Sequence, residues 1–147
     1  MATSAALETL IELATSATDE AAKRLGNAIR ATDKAEKKLA LLQKYRDEYT
    51  ARFQVKMTHG VSAMGYRNFQ AFIEKLDAAI IGQQQLVQEA ENGVSKEKGA
   101  WQKSERKRMS YDTLANRLAH EEQRRANKAD QKLTDEHTTR QGQFKRF

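Results

Sequence analysis

The stretch MTHGVSAMGYRN, Met57 to Asn68, decides the fold. Gly60 and Gly65 give it a helix stop and a turn, because glycine takes up the left-handed conformation with which helices commonly end. On either side the chain reads as helix, from about 4 to 57 and from about 66 to 135, with a turn at about 58–65 and a polar tail running to 147. Ser4 is a plausible cap for the first helix, and Ser62 or Gly65 can open the second. Two helices joined by so short a connection must lie side by side and antiparallel.

Periodicity outside the turn says which faces meet. Positions 7, 11, 14, 18, 21, 25, 28, 32, 35, 39, 42, 46, 49 and 53 read Leu, Ile, Ala, Thr, Ala, Leu, Ala, Thr, Ala, Leu, Leu, Arg, Tyr, Phe, and only Arg46 is charged. A second stripe runs through Phe69, Ile73, Leu76, Ile80, Gln83, Val87, Ala90 and Val94, then continues more weakly through Glu97, Trp101, Ser104, Arg108, Tyr111 and Ala115 to Leu118. Steps alternating between four and three average ~3.5 residues, the period of a left-handed coiled coil. The expected fold is all-α, one long antiparallel two-helix coiled-coil hairpin forming a single domain.

A turn near Gly60 makes the numbers of facing residues sum to roughly 122. Phe53 then meets Phe69, Tyr49 meets Ile73, Leu42 meets Ile80, and the indole of Trp101 lies against the small Ala21. The first helix ends at the level of Leu118, so the C-terminal end of the second helix overhangs.

Composition agrees. The 147 residues contain no Pro and no Cys, and 31% are charged. Such a balance favours long helices over a compact globule. Lack of Cys excludes disulfides and thiolate metal sites and fits a reducing compartment. The start, MATSAALETLIELATSATDEAAKRL, has neither a basic n-region nor a sustained apolar h-region, so no signal peptide is expected. No apolar run reaches the ~20 residues of a membrane span. The net charge is +6, and residues 101–147 carry twelve Lys and Arg against seven Asp and Glu.

Heptad letters locate a candidate site. With Leu39, Arg46 and Phe53 at a, and Leu42 and Tyr49 at d, Tyr49 belongs to the seam and Tyr45 to the g flank. On the second helix the e positions Gln70, Asp77, Gln84, Glu91, Lys98 and Glu105 are all polar, whereas the g positions read Phe72, Ala79, Leu86, Gly93 and Ala100. In an antiparallel pair the two g flanks adjoin, so Tyr45 and Phe72 share a side. Leu42, Tyr45, Tyr49, Phe72, Leu76 and Ala79 form a strip there. Its rings either widen the seam or mark an interface, since clustered exposed rings are a common mark of partner sites.

Catalytic patterns are missing. His59, His120 and His137 are far apart, and HEEQR at His120 has Arg124 where a zinc helix needs a second His. There is no Gly-rich phosphate loop, and a two-helix rod lacks a pocket from which to exclude water. The expectation is a non-enzyme with no cofactor and no metal.

The ordered words ALETLIELA, DEAAKRLG, KAEKKLALLQKYRDEY, NFQAFIEKLDAAI and ADQKLTDE resemble the FliJ family of the flagellar type III export apparatus, over nearly the whole chain and with the same turn position. The resemblance implies a cytoplasmic coiled coil like the central stalk of rotary ATPases, held peripherally at the inner face of the cell membrane by the apparatus. It would promote assembly of the FliI export ATPase ring, connect it to the cytoplasmic domain of the FlhA export gate, and escort export chaperones. The family's gate-binding surface falls on Leu42, Tyr45, Tyr49, Phe72, Leu76 and Ala79. At its edges this chain has Lys38 where family members tend to carry a neutral polar residue, and Gln83 where they often carry His.

By the same resemblance, the overhanging end and the start of the first helix would enter the ATPase ring. Other classes of function stand beside this one. KSERKR, Lys103 to Arg108, and RRANK, Arg124 to Lys128, suit a nucleic-acid-binding coiled coil, but neither is interleaved with stacking aromatics and acids sit among them. No nucleic acid is therefore expected. A structural spacer or a self-associating coiled coil is the third reading.

Overall fold

In the computed structural model the backbone is described over residues 2–145 and side chains over residues 4–143; the end of the expected polar tail, residues 146–147, lies outside the described residues. Two helices make up nearly all of it, α1 (Ala2–Thr58) and α2 (Ala63–Lys145), with no strand among the described residues. The fold is an all-α helical hairpin.

The turn shows why the helices stop and start there. Gly60 has φ of +89°, the left-handed region, and closes α1 while the amides of His59 and Gly60 donate to the carbonyls of Lys56 and Met57 at 3.1 and 3.2 Å. Ser62 then caps α2: its Oγ accepts the Gly65 amide at 3.0 Å and its carbonyl accepts the Tyr66 amide at 3.0 Å. That cap starts α2 at Ala63, where the sequence suggested about 66, and so places Tyr66 on the helix. At Gly65 a Cβ would lie 2.9 Å from Val61 Cγ1, so a larger residue there would require the valine to shift.

Both outer ends run further than the sequence suggested. Ser4 lies inside α1 and is not its cap. At the other end α2 continues to Lys145, beyond the expected 135, because nothing breaks it. The hydroxyls of Thr134, Thr138 and Thr139 donate to carbonyls four residues back at 2.9–3.0 Å, keeping these polar side chains inside the helical pattern.

Packing divides the chain into two units, Asp19–Lys103 and the pair of segments Met1–Thr18 and Ser104–Phe147. In the unit that contains the turn, the ring contacts, ion pairs and hydrogen bonds between α1 and α2 join residues whose numbers sum to between 118 and 123. Phe53 stacks on Phe69, Arg46 pairs with Asp77, Gln83 donates to the Ala35 carbonyl, and Arg24 pairs with Glu97. Ala21 is fully buried and Trp101 half-buried. In the other unit Leu7, Ala14 and Thr18 are buried, and Ser4, Leu7 and Ile11 line a groove of about 420 Å³ with Ala115, Leu118 and Glu122. From Glu122 to Gln143 every residue of α2 is exposed.

Burial follows the expected seam closely. All fifteen positions of the second stripe from Phe69 to Leu118 are buried or half-buried, and so are thirteen of the fourteen on the first. Tyr49 is the exception. It is 36% exposed, and Thr50 turns inward in its place with its hydroxyl on the Arg46 carbonyl at 2.8 Å.

The turn gives a direct check on this account. Ser62→Ala removes the cap and should cost about 1 kcal/mol, and Gly60→Ala forces a side chain into the left-handed region at about 1–2 kcal/mol. Both losses should appear as lower urea midpoints with unchanged slope.

Candidate interaction surface

Six of the ten aromatic residues lie between Tyr45 and Phe72, and the structure joins five of them into one ladder across the two helices. Tyr66 meets Phe53 with centroids 6.1 Å apart, Phe53 stacks on Phe69 at 3.7 Å with planes 4° apart, Phe69 stacks on Tyr49 at 5.5 Å, and Tyr49 meets Phe72 at 4.4 Å. The inner rings hold the seam. Phe53 and Phe69 are half-buried, whereas Tyr49, Tyr66 and Phe72 are exposed enough to be touched from outside.

Tyr49 is therefore not the core residue that its heptad position suggested. A phenol is too long for the seam beside the Phe53–Phe69 stack, so the ring leans outward onto Phe72, where its hydroxyl can reach water. Its expected neighbour Ile73 stays half-buried in the stripe. Tyr45, 51% exposed, makes no ring contact or hydrogen bond among the described residues.

The remaining strip residues divide by depth. Leu42 and Leu76 are half-buried and form its floor, and Ala79 and Lys38 are exposed. Gln83 does not belong to the surface. It is 5% exposed and its Nε2 donates to the Ala35 carbonyl at 2.9 Å, so its amide is used inside the hairpin. Tyr66 was missed in the sequence because it sits within the turn stretch, although its spacing of three from Phe69 is a helical neighbour spacing.

Lys38 puts an exposed charge on the ring-bearing flank, and the seam carries an ion pair of its own. Arg46, the one charged residue of the first stripe, reaches Asp77 with Nε to Oδ1 at 2.5 Å and Nη2 to Oδ2 at 3.4 Å. The hydrogen bond from Arg46 holds the Asp77 carboxyl below its ordinary value of 3.8 and raises the guanidinium in turn. Within KSERKR, Arg108 donates to both Glu105 and Asp112, and the Glu105 carboxyl is lowered by that bond. Arg108 is thereby turned toward acids of its own helix, away from service to a phosphate backbone.

Two long helices paired through a 3.5-residue seam, with rings carried onto one flank, define a coiled-coil hairpin. A family model described as "Flagellar FliJ protein" matches residues 3–146. The chain is 31% identical to the flagellar FliJ protein of Salmonella typhi over 140 residues, and 30% identical to that of Escherichia coli (strain K12) over the same length, covering 95% of each chain in both cases. It belongs to the flagellar FliJ family. No helix of the described residues is long and apolar enough to cross a membrane.

The sign of the pH dependence follows from Asp77. A carboxyl lowered in the folded state contributes stability above its unfolded pKa and loses it as pH falls through the folded value. Melting temperatures of the wild type and Asp77→Asn should therefore differ at pH 7 and converge well below the ordinary carboxylate range. A gap that persists in strong acid would remove the ion pair from the account.

Proposed function

We propose that this chain is a cytoplasmic component of the flagellar type III export apparatus, serving motility as a stalk-like coiled coil. It promotes assembly and activity of the FliI ATPase ring, links that ring to the cytoplasmic domain of the FlhA gate, and escorts export chaperones. It is held at the inner face of the membrane through these partners. Family membership supports the flagellar role. The observation that carries the gate contact is Tyr45, an exposed ring with no ring contact or hydrogen bond among the described residues, on the flank shared with Phe72.

The strip has the anatomy of a hot spot. Exposed rings of Tyr45, Tyr49 and Phe72 stand over a floor of Leu42 and Leu76, with Ala79 leaving space beside them. Such aromatic anchors carry much of the binding energy at interfaces. At the opposite end of the chain, the exposed stretch of α2 from Glu122 onward is polar nearly all round, as suits a helix that a ring encloses.

Two experiments test this. Tyr45→Ala should change stability by less than about 0.5 kcal/mol yet lower affinity for the gate's cytoplasmic domain by about 2 kcal/mol or more. Phe69→Ala, which breaks the centre of the ladder, should cost about 3–5 kcal/mol of stability. A Tyr45→Ala chain that melts early and still binds the gate makes that ring part of the seam. For the ring contact, trimming residues 123–147 should weaken stimulation of the export ATPase; full stimulation would place the contact elsewhere.

A further inference from the structure

Beyond the strip, the α2 side of the same flank stays apolar for several more turns. On the α1 side Tyr45 and Ala31 lie along it with Lys38 between them, and on the α2 side Phe72, Ala79, Leu86 and Gly93, of which Leu86 is 51% exposed. From Phe72 to Gly93 the α2 side of this face runs ~30 Å at ~1.5 Å per residue. The ion pair of Arg24 with Glu97, at 3.2 Å, closes its far end. On the opposite flank the e positions of α2 are all polar, while α1 carries Ala22 and the exposed Ile29 there.

Gly93 indicates what the face is for. A glycine inside a helix is less favourable than almost any other residue except proline, and a Cβ at Gly93 would meet nothing within 4 Å. The same holds at Gly82 and Gly99 of α2, so packing within the hairpin does not require any of the three to be bare, and of these only Gly93 stands in the row with Phe72, Ala79 and Leu86. Absence of a side chain on an apolar flank allows a second backbone to approach.

Charge at the edges narrows the occupant. Lys34 of α1 and Lys75 and Lys96 of α2 border the face and Lys38 stands within its α1 row; all four are exposed, and none makes an ion pair among the described residues. Of the two acids on the same edges, Glu48 lies 4.0 Å from Lys44, which leaves Glu89. Basic borders along an apolar channel complement a helix whose apolar stripe is edged by acids, as e and g charges do in coiled coils.

We infer that this flank is a groove for a third helix, an amphipathic segment of a partner protein with acidic residues along both edges of its apolar face. The inference rests on the gate reading for the side of the hairpin that a partner meets, and extends it past Ala79 to Leu86 and Gly93.

The test uses the full chain and a labelled synthetic helix of about six turns, long enough for the channel, with Leu and Ala on one face and Glu along both edges. A peptide with the same face and Lys edges is the control. The Glu-edged peptide should bind about tenfold or more tightly than the Lys-edged one. Gly93→Gln and Leu86→Glu should each weaken it about tenfold or more, and Gly93→Gln should melt no earlier than the wild type, because Gln is the better helix former. Equal binding of the two peptides, or a Gly93→Gln chain that binds as tightly as the wild type, overturns the groove. So does a wild-type dimer that Gly93→Gln converts to monomer, because the occupant is then a second copy. Gate binding is read separately: if Tyr45→Ala loses the gate while Gly93→Gln keeps full peptide affinity, the gate reading stands and the groove is removed.

Discussion

The stack of Phe53 on Phe69 fixes how the two helices of the turn-containing unit slide past one another, and the candidate surface depends on that register. The rings lie 3.7 Å apart and nearly parallel, one from each helix, a few turns from Gly60. Arg46 on Asp77 and Gln83 on the Ala35 carbonyl repeat the same register further along. Neither polar contact is a large source of stability, since the arginine pair is more than a third exposed and such pairs contribute little. Their effect is on specificity: a slipped seam would strand a guanidinium and a buried amide against apolar neighbours, which is costly.

With the register set, the seam and its two flanks take different roles. Small residues such as Ala14, Thr18 and Ala21 let the backbones come close along α1, and they are among the most buried positions in the chain. Rings too large for so narrow a seam are pushed to one side of it, which is how Tyr49 comes to lean on Phe72. The polar flank keeps the hairpin solvated while the apolar flank remains available. Tyr45 illustrates the difference, since half of its surface is exposed and it makes no ring contact or hydrogen bond among the described residues.

Most of this was legible in the sequence because a coiled-coil seam is one-dimensional. The stripe from Leu7 to Phe53 and its counterpart from Phe69 to Leu118 carry a 3.5-residue period, and a turn at Gly60 converts that period into facing pairs without further assumptions. Where the reading failed, a local contact decided the outcome. Tyr49 and Thr50 exchanged places because a threonine hydroxyl can return to a helix carbonyl and a phenol cannot fit beside stacked rings. Gln83 looked like an edge residue, but a buried d position lets its amide reach across to Ala35. The end of α2 was placed too early because polar composition resembles a tail, whereas helix continuation needs only the absence of a breaker. The identity of what meets the flank lies in another chain, so it came from the family resemblance and not from periodicity.

Since the chain contains no cysteine, the register is open to direct measurement by paired substitution. Ala28→Cys with Val94→Cys joins positions that face each other in this register, while Ala28→Cys with Trp101→Cys is one heptad away. Under mild oxidation of the purified chain the first pair should close to an intramolecular disulfide nearly completely and the second should remain reduced. Equal closure of both pairs, or preferential closure of the second, would show that the helices are not held in this register, and the flank on which Tyr45 and Phe72 meet would not exist as described.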